Sequence, residues 1–259
     1  MVDPSRGVLY PTRLPTFTRL PPPPVAAELV EWFWIPEWNL APGRSSRQEI
    51  VGYPASHLVV EPAAVGLAGP TTRRSHRDLT GRGWAVGAHL RPAAVAALVP
   101  DPAATVDAYV PQDQPELHTA VVAAMARSPA AARHAAVVHA FSAWLIERIP
   151  VVDAHGRLAN AMAELLIADA AILRVADAAE RLSVSVRTLQ RVARTHVGVS
   201  PAAMIRRRRL QEAAQRLRDD PGADLADVAA ELGYADHAHL THDFRAVLGF
   251  TPSRYRAAV

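Results

Sequence analysis

The chain reads as an α+β protein: a β-rich amino-terminal domain, a helical connector and an all-α carboxyl-terminal domain with two helix-turn-helix units joined by a long helix. Three observations predict this. Residues 1–110 are broken by Pro and Gly and carry short β-prone runs. From Pro115 onward, Ala-rich stretches place apolar residues at three-and-four spacing, and the last third repeats itself at an offset of 51 residues. The expected boundaries are 1–110, 111–157 and 158–259.

In the first domain the β-prone runs are 49–53, 57–60 and 84–90. Prolines 21–24 form either a polyproline segment for a partner or, the preferred reading, a stiff connector ahead of a helix at 25–33. Trp32, Phe33, Trp34 and Trp38 are expected to pack against strands, with an aromatic small-molecule pocket as the alternative. In the connector, Val121, Val122 and Met125, then Val137, Val138, Phe141, Trp144 and Leu145, mark buried helix faces. A break is expected near 150–156, followed by a helix over 158–173.

The repeat aligns Ala178, Ala179 and Glu180 with Ala229, Ala230 and Glu231 without a gap; Leu189 falls on Leu240, Arg194 on Arg245 and Gly198 on Gly249. Each copy reads as helix, tight turn, helix. In the second, Leu225, Val228, Ala229 and Leu232 form the stripe, Asp224 the cap and Gly233 the exit; Asp236 then caps a helix buried through Leu240, Phe244 and Val247. In the first, Val175, Ala178, Ala179 and Leu182 lead to a turn at Ser183 and Val184, a cap at Ser185 and a core face of Leu189, Val192 and Ala193. The units span 174–195 and 225–247. Between them, Ser200 and Pro201 start a helix of roughly 17 residues, about 26 Å long.

A short turn sets the second helix across the first, so its outer face can enter a major groove about 12 Å wide. In copy one that face carries Arg187, Gln190, Arg191 and Arg194; Arg suits guanine and Gln suits adenine. In copy two the matching positions are Ala238, Thr241, His242 and Arg245, with His237 at the helix start, so copy one is the stronger reader. Of the run 206–209, about two members are expected on phosphate; Arg208 and Arg209 are assigned there with Arg194 and Arg245.

Charge agrees with this division: all 28 basic residues are Arg, residues 1–170 carry a net −1 and residues 171–259 a net +4. The Arg usage reflects either phosphate and base recognition or genome base composition. With no cysteine, thiolate metal sites, iron–sulfur clusters and cysteine nucleophiles are excluded. No Lys-containing phosphate loop or His-Glu-x-x-His signature is present. Ser75, His76 and Asp78 are too close in sequence to converge as a triad, and His237 and His239 diverge on a helix, so neither catalysis, a metal nor a cofactor is expected. No apolar run has membrane-spanning length, and residues 1–20 lack a signal-peptide pattern, which predicts a cytoplasmic protein.

Ser185-x-Arg-x-Leu-Gln-Arg, Val197-Gly-Val-Ser-Pro, Leu225-Ala-x-Val-Ala-x-x-Leu-Gly-Tyr and Gly249-Phe-Thr-Pro-x-x-Tyr-Arg together resemble the bacterial AraC/XylS transcription regulators over 175–256. The resemblance implies base contacts by Arg187, Gln190 and Arg191 and, in the second unit, by His237, Ala238 and His242. It departs at His239 and His242, where the family often has a bulky residue and Arg. Leu29-Val-Glu-Trp-Phe-Trp, Gly69-Pro-Thr and Val86-Gly-Ala-His-Leu-Arg-Pro resemble a sensory domain that accompanies such readers. The implied function is effector-responsive transcriptional regulation as an activator, with double-stranded DNA, RNA polymerase, a small-molecule effector at the amino-terminal domain and a second copy of the chain as partners. The rival readings are an enzyme or small-molecule binder using the helical units for protein contacts, and a DNA-binding chain whose first half only dimerises.

Overall fold

The computed structural model describes residues 16–50 and 54–257. Strands β1 (Thr16–Leu20), β2 (Val30–Asn39), β3 (Ser45–Ile50), β4 (His57–Glu61), β5 (Ala64–Ala68), β6 (Ser75–Thr80), β7 (Arg82–Trp84) and β8 (Val86–Leu90) precede helix α1 (Pro92–Leu98) and strand β9 (Tyr109–Gln112). The main sheet runs β1-β2-β8-β4-β5-β9, with β7 on the far end of β2; β3 and β6 form a separate antiparallel ribbon. The 57–60 run lies in β4. The 84–90 run splits at Ala85 into the end of β7 and β8, and the 49–53 run overlaps β3 only at 49–50, its remainder lying outside the described residues.

The expected helix at 25–33 is not there. A single 3-10 turn, Pro24–Ala26, gives way to β2, which pairs with β1 on one edge and β8 on the other. Aromatic and β-branched residues suit a strand held between two neighbours, and that pairing outweighs the apolar spacing read as helical. Phe33 and Ile35 face the core; Trp32, Trp34 and Trp38 remain half-buried.

Helices α2 (Pro115–Met125) and α3 (Ala130–Arg148) bring Leu117, Val121, Phe141 and Leu145 into the same core as Phe33, Val60, Val86 and Leu90. The connector therefore completes the first domain's interior. Helix α4 (Ala154–Ala168) starts at a cap where Asp153 accepts from the Gly156 amide. Its Asn160 accepts from the Ala93 amide at 3.0 Å and donates to the Glu28 carbonyl at 2.8 Å, fastening α4 to the β-rich half.

The last third contains α5 (Val175–Arg181), α6 (Val186–His196), α7 (Pro201–Asp219), α8 (Leu225–Glu231), α9 (His237–Leu248) and α10 (Pro252–Arg256). Met162, Leu166, Ile172, Leu189, Ala193, Met204 and Ile205 build one core; Leu210, Leu217, Val228, Leu240, Phe244 and Tyr255 build another. Helix α7 alone supplies residues to both, and no residue belongs to both. No helix among the described residues is long and apolar enough to cross a membrane.

The ungapped repeat needs one correction. Helices α6 and α9 superpose at an offset of 51, but α5 and α8 start 50 residues apart, so the matched Ala-Ala-Glu letters are not structural equivalents. Buried Ala178 and Ala179 correspond to buried Val228 and Ala229, and the left-handed exit at Ser183 (φ 54°) corresponds to Gly233 (φ 71°). Val184 donates to Ala179 as Tyr234 donates to Ala229. The turn of the second copy is one residue longer.

Candidate nucleic-acid interface

Helix α6 is strongly two-sided. Ser185 accepts from the Thr188 amide and caps the start, Leu189, Val192 and Ala193 are sealed in the core, and Arg187, Gln190, Arg191 and Arg194 stand exposed at i, i+3, i+4 and i+7. All four lie on one side of the helix. Val186, the first helical residue, is 37% exposed beside them, an apolar group on an otherwise polar outer face. Sequence reading passed over it, although an outward Val at the start of a recognition helix is a recognisable signal for a thymine methyl.

Helix α9 repeats the arrangement. Asp236 accepts from the His239 amide at 2.7 Å, Leu240, Phe244 and Val247 are buried, and His237, Ala238, His242 and Arg245 are exposed. Asp243, on the inner side, receives a bidentate pair from Arg206 of α7 at 2.8 and 2.7 Å. This bond holds α9 across α7, and nothing in the spacing of Arg206 distinguishes it from its three Arg neighbours.

Two assignments in that run change. Arg208 is 1% exposed and donates to the carbonyls of Leu166, Asp169, Ala170 and Ile172, with Glu212 at 3.6 Å. It closes the free carbonyl end of α4 and cannot reach phosphate. Arg209 is half-buried with its guanidinium 3.8 Å over the Tyr234 ring, a cation–π contact that draws it away from a backbone-contacting position. Arg207 is also buried, and burial pushes its pKa down to about 10. Of the assigned phosphate residues, Arg194 and Arg245 are the exposed ones.

Elsewhere, Asp78 is bound by Arg47 across the β3–β6 ribbon, with the hydrogen bond from Arg47 holding its carboxyl below the usual range. Trp34 Nε1 donates to His57 Nδ1 at 3.0 Å, and His57 and His89 meet edge to face at 4.8 Å. Burial, then the nearby Arg19 charge, lowers the His57 pKa to about 4; burial also lowers His89.

Residues 178–258 match a helix-turn-helix domain family, and residues 18–110 match a domain of unknown function (DUF6597). Over 119 residues, 46% of this chain, the sequence is 36% identical to a putative AraC-like transcription regulator of Streptomyces lividans, covering 37% of that protein. Over 78 residues, 30% of this chain, it is 33% identical to the HTH-type transcriptional activator RhaS of Escherichia fergusonii, covering 28% of it. The chain thus spans about a third of the length of these relatives. ToxT from Vibrio cholerae has a looser likeness, with a TM-score of 0.43 at 12% identity over 94% of this chain and 97% of that one. The chain thus carries a helix-turn-helix domain over residues 178–258 behind a DUF6597 domain over residues 18–110, and part of it is similar to AraC-like transcription regulators.

Proposed function

We propose that the chain is a sequence-specific, effector-responsive transcriptional regulator that reads double-stranded DNA through α6 and α9, acting in the cytoplasm, as an activator, with RNA polymerase and a second copy of itself as partners. One observation carries this: two equivalent helices each turn an apolar face inward and a polar face outward, and on α6 that face is three Arg and one Gln. Arg187, Gln190 and Arg191 contact bases, joined by Val186 and, on the second helix, by His237, Ala238 and His242; Arg194 and Arg245 contact phosphate. Replacing Arg191 by Ala costs about 1–3 kcal/mol at the selected site and relaxes preference at one position. Selection from random DNA followed by salt-dependent gel shifts checks this; an Arg191→Ala protein with the parent's sequence preference overturns the assignment.

For the effector, the supporting feature is a cavity of about 160 Å³ between β2, β8, α1, α4 and the end of α6. Trp32, Leu90, Val95, Ile167 and Val197 line it, and the hydroxyl of Ser56, a residue 1% exposed, makes no hydrogen bond among the described residues. Arg91 at its rim is already paired with Glu31 at 2.6 Å and Glu164 at 3.4 Å. A charged ligand would have to break those pairs, so the cavity suits a small, neutral, largely apolar molecule with one oxygen acceptor. Calorimetry is expected to detect benzyl alcohol in preference to benzoate or benzylamine, with weakening in Ser56→Ala; preference for either ion removes the assignment.

A further inference from the structure

The two cores of the DNA-binding end share no residue and are joined through α7, so the separation of α6 from α9 rests on one helix unless something else spans them. Two loops of the amino-terminal domain do so. The loop at 101–107 reaches the first unit: Val106 packs on its core, and Gly198, two residues past the end of α6, lies so close that a Cβ there would sit 2.5 Å from the Pro102 carbonyl oxygen. The loop at 70–74 reaches α7 and the second unit. Buried Arg207 donates to Thr71 Oγ1 at 2.9 Å and to the Arg73 carbonyl at 3.1 Å, while the Arg74 amide donates to the Val247 carbonyl of α9 at 2.8 Å. The Arg74 guanidinium lies 5.6 Å over the Phe250 ring, and left-handed Gly249 leaves room for it.

Asp107 ties the two loops together. Its carboxylate accepts from the Thr72 amide at 2.7 Å and from the Thr72 hydroxyl, with the Arg73 guanidinium 4.0 Å away; its own amide donates to the Pro70 carbonyl at 3.0 Å. It holds this place with φ 57°, a left-handed conformation that costs a side-chain-bearing residue energy unless its surroundings enforce it.

We propose that the loops 70–74 and 101–107, joined through Asp107, are a strut that fixes the spacing of the two recognition helices and makes the amino-terminal domain a determinant of how far apart the two halves of a bipartite DNA site lie. Asp107, Arg207 and Arg74 are positioning residues and touch no DNA. The strut runs beside α7, and with two supports the helices keep one separation; with α7 alone they share a range of separations. The spacing consequence rests on the DNA-reading function proposed above, whereas the distance between the helices does not.

The absence of cysteine permits a direct test on the full chain. Nitroxides placed through Thr195→Cys on α6 and Ala246→Cys on α9 report the helix separation by pulsed electron resonance. The parent is expected to give one narrow distance. Asp107→Ala broadens it, and Thr72→Val broadens it less. Asp107→Asn restores it, because Asn accepts the same amide hydrogen bond and tolerates the left-handed backbone. A distribution in folded Asp107→Ala that superposes on the parent's overturns the strut; if that variant does not fold, an unbroadened Thr72→Val does so instead. On selected duplexes, lengthening the spacer by one base pair is expected to cost the parent about tenfold in affinity and Asp107→Ala much less. A parent that binds no DNA defeats the regulator reading while leaving the distance result to decide the strut.

Discussion

A guanidinium's surroundings decide its use, and the run 206–209 shows four outcomes on one helix. Arg206 locks Asp243, Arg207 crosses to the amino-terminal domain, Arg208 closes the end of α4 and Arg209 covers Tyr234. Removing Arg208 strands the buried carbonyls of Leu166 and Ile172. Arg208→Met is therefore expected to lose about 3 kcal/mol of stability while leaving the salt dependence of DNA binding unchanged. Arg194→Ala should do the reverse, flattening the salt slope by about one unit with an unaltered melting temperature. Thermal melts and gel shifts at several salt concentrations on both variants check the pair. The outward residues Arg187, Gln190 and Arg191 were legible because a helical stripe fixes the inner face and leaves the rest outside. The fates of the Arg run were not, since each depends on a partner 25 to 136 residues away, from Tyr234 to Thr71.

Among elements, the recognition units were readable down to their caps: Ser185, Ser200, Asp224 and Asp236 each accept the amide expected of them. Strand β2 was not, because its aromatic cluster satisfies a helical spacing and only its neighbours β1 and β8 reveal a strand. The extra residue in the second turn escaped for a different reason, as Ala-Ala-Glu recurs in both copies and drew the alignment one place out of step. That turn has an energetic consequence. At Gly233 a Cβ would meet Leu173 at 2.8 Å in a left-handed backbone, so Gly233→Ala is expected to lose about 1–2 kcal/mol. At the equivalent Ser183, replacement by Gly relieves the backbone but frees the unfolded chain, so chemical denaturation should register little change.

At the scale of the molecule, the His57–His89 pair links stability to pH. Both imidazoles sit neutral against the sheet, and the Trp34 indole donates to His57 Nδ1, which a proton there would displace. The folded pKa of His57, about 4, lies below the ordinary 6.5, so the unfolded chain takes up protons first. Stability is full above pH 6.5 and falls as pH drops from 6.5 toward 4, by about 2–3 kcal/mol for His57 alone. Denaturant melts across that range should show the loss; a flat profile would mean that the folded imidazole takes up its proton as readily as the unfolded one. His57→Gln, which cannot be protonated, should reduce the slope.

The segment before α4 offers an exposed point of attack, with Val151 77% accessible between buried Ile149 and Val152. A protease that cuts there severs the chain without separating its halves, because Asn160 still grips Ala93 and Glu28 from the far side of the cut. The nicked protein would travel as one particle, its scissors mark visible only after denaturation.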